Sequence, residues 1–533
     1  MSILDKASLI QIPSGYKSTK LYSLRPINGD GDFTFARSSS ATRVNSEGLI
    51  ETAKVLGTTE LVTNGNFADT SWWTFESGVS VSNNKANFNT ALTNYGIYKN
   101  NLLTSNKFYQ VQFEITDYTS GSVHFNIGGV VNGSFNSVGV KTLVVNSLSG
   151  TNVFGIQSAS GGAVLSITNV SVIEYIENDV PRLDYSDGSC ASLLLEGQST
   201  NILPYSEDFA NSAWSKSNVT LTSNNTISPD GTQNASKLVS TGADGNLQDS
   251  ISVASGTTYT FSVYLKTISG TLDIAISLGS PGFPQNEGDG GRYKNITVTN
   301  EWKRYTITST ADASASTGVG VGGFNTFSTG EQVYVWGAQL EAKNYVSSYI
   351  PTSGSTVTRT ADVCNNAGTA ATFNDSEGVL FAEVAALADD LTNRGITISD
   401  GSVNNRVTMF FTNVSNAIQV KVVVGGSNSL NSYITIPNIS LYNKFALKYK
   451  QNDFSLFVNG FELITDTSGN TFSSGTLTEL AFDRGDGAED FYGKCKQLMV
   501  FNEALSDEEL SDLTGQVNLS FTNLAEFYNY TIL

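Results

Sequence analysis

Two kinds of side chain in this sequence are suited to chemistry: flat aromatic rings and carboxylates. Aromatic rings can stack on the C–H faces of pyranose sugars while neighbouring amides and acids take the hydroxyls. The aromatic residues placed for that role are Trp73, Phe75, Tyr95, Tyr98, Tyr293 and Trp302. Carboxylates would serve glycoside hydrolysis only as a facing pair, one of them made a proton donor by burial. The acids here sit instead in turn-like phrases such as "NGDGD", "NEGDGG" and "DRGDGAED", where a carboxylate braces a turn or faces water. Their densest group, Asp483, Asp486, Glu489 and Asp490, reads as a loop face. His124 is the single histidine, in the strand-like "SVHFNIGG", and Cys190, Cys364 and Cys495 are too scattered for a disulfide framework or a CxxC site. A nucleophile elbow, a P-loop, an HExxH helix and an EF-hand loop are all missing. No residue is assigned a catalytic role, and the sequence is expected not to be an enzyme.

Composition narrows the partners. The formal charge is −19, with 39% hydrophobic and 15% charged residues. A nucleic-acid surface needs a basic patch, and none is present. No run of 18 apolar residues could cross a bilayer as a helix. The opening "MSILDKASLIQIPSGYKSTK" has neither an apolar core nor a small-residue cleavage site, so no secretory signal is expected.

The elements that must position the aromatic residues are strands. Period-two alternation runs through "YQVQFEI" (109–115), "YTFSVYL" (259–265), "QVYVWGAQL" (332–340), "RVTMFF" (406–411) and "DFSLFVNG" (453–460). Gly, Asn, Ser and Asp clusters separate them at the intervals of sandwiches or barrels. One helix is expected, in "NEALSDEELSDLTG" (502–515), capped by Ser506 with Glu509 and stopped at Gly515. The fold class is therefore all-β: several antiparallel, jelly-roll-like β-sandwiches in series with one short helix near the end.

A repeat divides the chain. "FADTSWW" (67–73) and "FANSAW" (209–214) are nearly one phrase; each is followed by a strand beginning at Tyr109 or Tyr259 and by a last strand ending at Glu174 or Glu341. Residues 61–175 and 201–350 thus read as two copies of one module, the second lengthened by a turn-rich insertion at 277–295. Trp72 and Trp214 share a place in the phrase, which predicts core packing for both. Alternation along a strand then turns Trp73 outward. Trp336, inside "VYVWGAQL", is expected in the core.

The phrases "FARSSSATRV", "PRLDY" and "LLLEGQSTN" resemble those of bacteriophage virion proteins carrying carbohydrate-binding modules. There they stand close together; here 61–175 separates them as an insertion. "NKFALKYKQNDFSLFVNG", "LTELAFDRGDG" and "FYGKCKQLMVFNEALSDEEL" resemble the laminin-G or concanavalin A-like lectin sandwich, departing from it at Lys494–Gln497. The organisation implied is an N-terminal attachment segment (1–60), the inserted module (61–175), a connector (176–200), the second module (201–350), the concanavalin A-like sandwich (351–515) and a tail (516–533).

The resemblance implies a head or tail fibre or a decoration adhesin on the virion surface. It would join other virion proteins through its N-terminal region, bind host surface glycans and form a homo-oligomer, with no nucleic-acid partner and no membrane span. A spacer without ligand and a surface-polysaccharide depolymerase are the alternatives. The only cofactor implied is a structural calcium ion in the second module, held by Glu207, Asp208 and Glu341; the first module offers the weaker set Asn64, Asn66 and Glu174. Residues 4–27 have few strand companions, and are expected to order only against another protein or a second copy.

Overall fold

Alternating apolar residues on strands too short to bury themselves must stack in pairs of sheets, and the chain does this three times. The computed structural model describes residues 2–147, 152–159 and 161–515; the expected tail 516–533 lies outside them. One unit is Lys54–Glu177, and the other is built from Met1–Ala53 and Asn178–Leu533. All named ladders are antiparallel, and the one α-helix among the described residues is Asp507–Thr514, with the expected Ser506–Glu509 capping box.

Within the first unit, a sheet ordered Gly139–Ser147, Lys107–Ser120, Ala163–Ile176, Lys85–Ala91, Val79–Ser82 faces a second ordered Val130–Phe135, Val123–Ile127, Phe154–Ser158, Gly96–Lys99, Thr74–Phe75. The larger unit contains a sandwich with the same order. Lys303–Thr310, Thr258–Lys266, Gln332–Glu341, Ala235–Ser240 and Val219–Thr226 form one sheet; Tyr293–Val298, Leu272–Ser277, Ala315–Gly322, Asn246–Val253 and Trp214–Ser217 form the other. The repeat extends to individual hydrogen bonds. Thr104 N–H donates to the Tyr109 hydroxyl at 2.8 Å, and Ala254 N–H to the Tyr259 hydroxyl at 3.0 Å, five residues upstream in both. The terminal glutamates do not keep register: Glu174 stands opposite Tyr109, but Glu341 opposite Thr260.

The third sandwich pairs the sheet Ser427–Thr435, Ala417–Val424, Arg406–Phe411, Arg394–Ser399, Glu479–Ala481 with a larger one through Gly493–Phe501, Glu377–Ala386, Asn443–Lys450, Phe454–Val458 and Phe461–Asp466. The larger sheet also takes strands from far upstream. Arg182–Asp184 and Ser192–Leu195 join it beside Gly493–Phe501, and so does Ala7–Gln11.

That last pairing corrects the expectation for residues 4–27. Leu9 and Ile10 are fully buried within the chain itself, and Ser2 with Asp5 caps a short 3-10 turn, Ile3–Lys6. The segment could not form a core alone, but it does not need to: Leu4, Ile10 and Ile12 pack on Phe381, Met499 and Leu510.

Phrases far apart in the sequence meet in a buried charge network. Arg182 of "PRLDY" donates to Glu196 of "LLLEG" and to Asp362 of "TRTAD". Arg37 of "FARS" reaches Asp362 at 3.1 Å, and Arg359 approaches Glu196 at 3.4 Å. All five side chains are at most 2% exposed. Neutral groups add to the shell: Ser348 donates N–H and Oγ–H to Glu196, Arg37 donates to Ser39 O, and Arg359 to Gly197 O. Burial drives the Arg37 guanidinium down to about 10, although Asp362 opposes it. Burial would raise the Glu196 carboxyl, but Arg359 and Arg182 hold it well below the usual carboxylate range.

Removing one member leaves a buried charge unmatched. Asp362→Asn is expected to lower stability by about 3–5 kcal/mol, read by urea unfolding monitored through tryptophan fluorescence. The depressed Glu196 pKa adds a pH dependence. Its contribution is present above the ordinary glutamate value and is lost as pH falls toward the folded value. Glu196→Gln should therefore flatten the acid limb of the stability profile.

Candidate functional site

The two modules place their aromatic residues differently from the sequence expectation, and Trp73 is the main correction. Its indole N–H donates to Asn64 O at 2.9 Å, and the Trp214 indole N–H donates to Tyr205 O at 2.8 Å, nine residues upstream in both. Trp73 is 5% exposed and Trp214 2%. Trp73, not Trp72, is thus the counterpart of Trp214. Residues 71–73 lie in a turn before the strand Thr74–Phe75, so strand alternation does not govern which ring faces out. Trp72 is the half-buried member, edge-on to Trp73 at 4.7 Å with Lys99 Nζ 4.7 Å from its own ring centre.

Phe75 is half-buried against the first core, its ring 6.4 Å from Phe67, and is no free platform. Tyr95 is exposed. Tyr98 lies on the outer face of its sheet: a Cβ at Gly155 would stand 3.4 Å from Tyr98 Cβ and 3.6 Å from Asn126 Cβ. Asn126 donates from that face to Gln157 Oε1 at 2.7 Å. His124, opposite Gln157 in the ladder, is 2% exposed; burial pulls its imidazole below the usual value, opposed by the Gln157 amide. In the second module the Tyr293 ring is already stacked on Phe324 at 4.1 Å, with the Arg292 guanidinium on the other ring's centre at 5.3 Å.

Trp302 lies in an aromatic cleft of this unit. The outward alternation of Thr258–Lys266 presents Tyr264 and Lys266 beside it, and the Trp302 indole N–H is anchored on Ile227 O at 2.9 Å. A hairpin, Thr42–Val44 with Ile50–Thr52, forms the opposite wall with Val44, Leu49 and Ile50, enclosing about 580 Å³. Ile50 also packs on Trp336 and Tyr349, so Trp336 is core as expected. Val44, Ile50 and Tyr264 are shared with a second recess of about 270 Å³ that reaches Arg43, Asp184, Glu196, Arg304, Ser347 and Lys494. Sequence reasoning identified Trp302 but missed the hairpin and Tyr264. The signals were there: "TRVNSEGLIE" is a strand–turn–strand pattern, and Tyr264 is out of phase with Phe261, Val263 and Leu265, all three buried.

Two cations of the recess are matched by carboxylates. Arg43 bonds Glu51 at 2.9 Å, and Lys494 bonds Asp187 at 2.7 Å and stands 3.4 Å from Asp184. Asp184 also accepts Val44 N–H at 2.9 Å. Arg304 donates to Ser347 O at 2.7 Å.

The residues expected to hold calcium are not brought together. Glu341 is fully buried and spends its oxygens on Ser199 and on Ser347 Oγ–H and N–H. Glu207 accepts from Tyr349 at 2.8 Å and Asn234 at 3.1 Å, whereas Asp208 is exposed. No cluster of three acidic, His or Cys side chains fit for a metal occurs among the described residues, and the donor set proposed for calcium does not fit. The 483–490 acids brace their loop: Arg484 pairs with Asp486 at 2.8 Å and Glu489 at 3.3 Å.

No family model matches the sequence, and no curated protein matches it. Similar solved structures include the CBM40 module of Ruminococcus gnavus IT-sialidase bound to α2,3-sialyllactose, at 18% identity over 27% of this chain and 84% of that one, with a TM-score of 0.22. Domain 4 of AbnA, a GH43 extracellular arabinanase from Geobacillus stearothermophilus, in complex with arabinotriose, is 13% identical over 29% of this chain and 73% of that one, with a TM-score of 0.23. The tandem CBM22 domains of Paenibacillus barcinonensis Xyn10C are 12% identical over 54% and 99%, with a TM-score of 0.21.

Trp73→Ala should cost about 3–5 kcal/mol, the range for a buried aromatic truncated to Ala, and Trp72→Ala clearly less, as thermal or urea melts of residues 54–177 will show. For His124 the folded pKa is lowered, so its contribution is full above the ordinary histidine value and is lost as pH falls below it. The melting temperature of 54–177 should drop between pH 7 and pH 5, and His124→Phe should reduce that drop.

Proposed function

We propose that this protein is a non-enzymatic, glycan-binding component of a bacteriophage virion surface, presenting its sandwiches to host polysaccharide. The observation that carries the binding reading is the Trp302–Tyr264 cleft. It joins aromatic faces and the Lys266 stem to a recess of fixed polar groups, the composition that suits a ring with an apolar face and hydroxyl edges. The virion assignment is supported by the resemblance of "FARSSSATRV", "PRLDY" and "LLLEGQSTN". Assembly with other virion proteins and self-association belong to the same reading, and avidity from several copies would compensate for weak single contacts.

A binding role fits the acids better than a hydrolytic one. A glycosidase needs a carboxylic acid that stays protonated beside a second, ionised carboxylate. The two carboxylates of the recess, Asp184 and Glu196, are both engaged by cations, and Glu196 is held well below the usual carboxylate range.

The test is a glycan array probed with the full chain and with Trp302→Ala. Binding without release of reducing ends is expected, with affinity about tenfold lower in the variant, equivalent to about 1.4 kcal/mol for one aromatic contact. No binding by the parent would favour a ligand-free spacer, and reducing-end release a depolymerase.

A further inference from the structure

The Trp302–Tyr264 cleft runs against the charge of the chain. Acidic residues outnumber Lys and Arg by 49 to 30, yet none of the eleven residues lining the cleft is acidic, and one, Lys266, is a cation. Asp230, next in sequence to the lining residue Pro229, accepts from Ser228, Thr232 and Asn234.

A second cation stands on the same face of the sheet. Tyr264 and Lys266 are two apart on Thr258–Lys266, so their side chains leave one side of it, and Arg304 is the cross-strand neighbour of Tyr264. The Arg304 guanidinium carbon lies 5.4 Å from the Tyr264 ring centre, and Arg304 lines the recess that shares Tyr264 with the cleft. Neutral groups hold it there. Its Nε donates to Ser262 Oγ at 3.2 Å and its Nη1 to Ser347 O at 2.7 Å, while Nη2 is buried without a hydrogen-bond partner.

The remaining charges of the recess have counterions. Arg43 has Glu51, Lys494 has Asp184 and Asp187, and Glu196 has Arg182 and Arg359. Among the described residues no carboxylate comes within 4.0 Å of the Lys266 or Arg304 nitrogens. Asp184 and Asp187 together exceed the charge of Lys494, but neither lines the aromatic cleft. Two unpaired cations beside one aromatic ring favour an anion placed over that ring, because charge is weakly screened where the walls exclude water.

We propose that the cleft selects acidic sugars, a specificity that rests on the glycan-binding reading above. A ring stacked on Trp302 or Tyr264 directs a carboxylate or sulfate substituent toward Lys266 and Arg304. These two residues set specificity, and the aromatic rings supply the contact that any sugar shares. A neutral sugar would leave both cations without a counterion.

An array of uronic-acid, sulfated and neutral oligosaccharides, probed with the full chain, tests this. The strongest ligand is then stripped of its acidic group, by carboxyl reduction or desulfation, and both forms are titrated. The acidic form should bind about tenfold tighter at low salt, and the ratio should shrink as salt is raised. The array also separates the two anions: retention of uronic acids assigns a carboxylate, and retention of sulfated glycans a sulfate. Lys266→Glu should lower the acidic-to-neutral affinity ratio about tenfold and Arg304→Gln several-fold. Lys266→Glu breaks no ion pair, so it remains informative if Arg304→Gln impairs folding. An unchanged ratio in Lys266→Glu, or array binding confined to neutral glycans, would overturn the proposal and leave glycan binding intact. Absence of binding to every glycan would overturn the binding reading itself, and this specificity with it.

Discussion

The buried arginine–carboxylate network fixes how distant segments of the larger unit converge. Arg37, Arg182 and Arg359 face Glu196 and Asp362, so three cations share two anions out of contact with water. Ionised groups persist under such burial only if every neighbour is placed to compensate them. The serine and backbone groups around Glu196 and Arg359 supply part of that compensation, which requires residues 37–39, 182–196 and 348–362 to converge in one arrangement. The network gives little net stability compared with an apolar core, but it tolerates few alternatives.

That constraint also sets the cleft. The hairpin wall begins at Thr42, whose carbonyl accepts from Arg182 and whose hydroxyl donates to Tyr349 O at 2.5 Å. Ser348, which bonds Glu196, sits beside Tyr349 on the opposite wall. The aromatic part of the cleft is thus suspended from the charge network, and Trp302 and Tyr264 are preorganised by groups on the far side of the recess.

The two modules show what a repeat preserves. Strand order, the tyrosine hydroxyl bonds at Tyr109 and Tyr259, and the anchored indoles of Trp73 and Trp214 recur. The outer surfaces diverge. In 54–177 the five-stranded sheet shows Tyr98, Asn126 and Gln157, whereas in the second sandwich the aromatic cleft lies on the sheet that contains Thr258–Lys266. Core contacts are shared because both copies must bury the same faces, and surfaces are free to specialise.

Sequence alone determined the strands, the all-β class, the repeat and the capped helix, because alternation, turn residues and capping boxes are local signals. Tertiary structure decided the rest. Which tryptophan is buried depends on a turn at 71–73 whose backbone does not alternate, so a strand rule applied there assigned the pair the wrong way round. The role of Ala7–Gln11 became visible only with its partner Gly493–Phe501, since an isolated strand carries no record of what it pairs with. The arginines and acids of the network lie up to 325 residues apart. In the sequence they read as separate polar phrases, and only their shared burial makes them one structure.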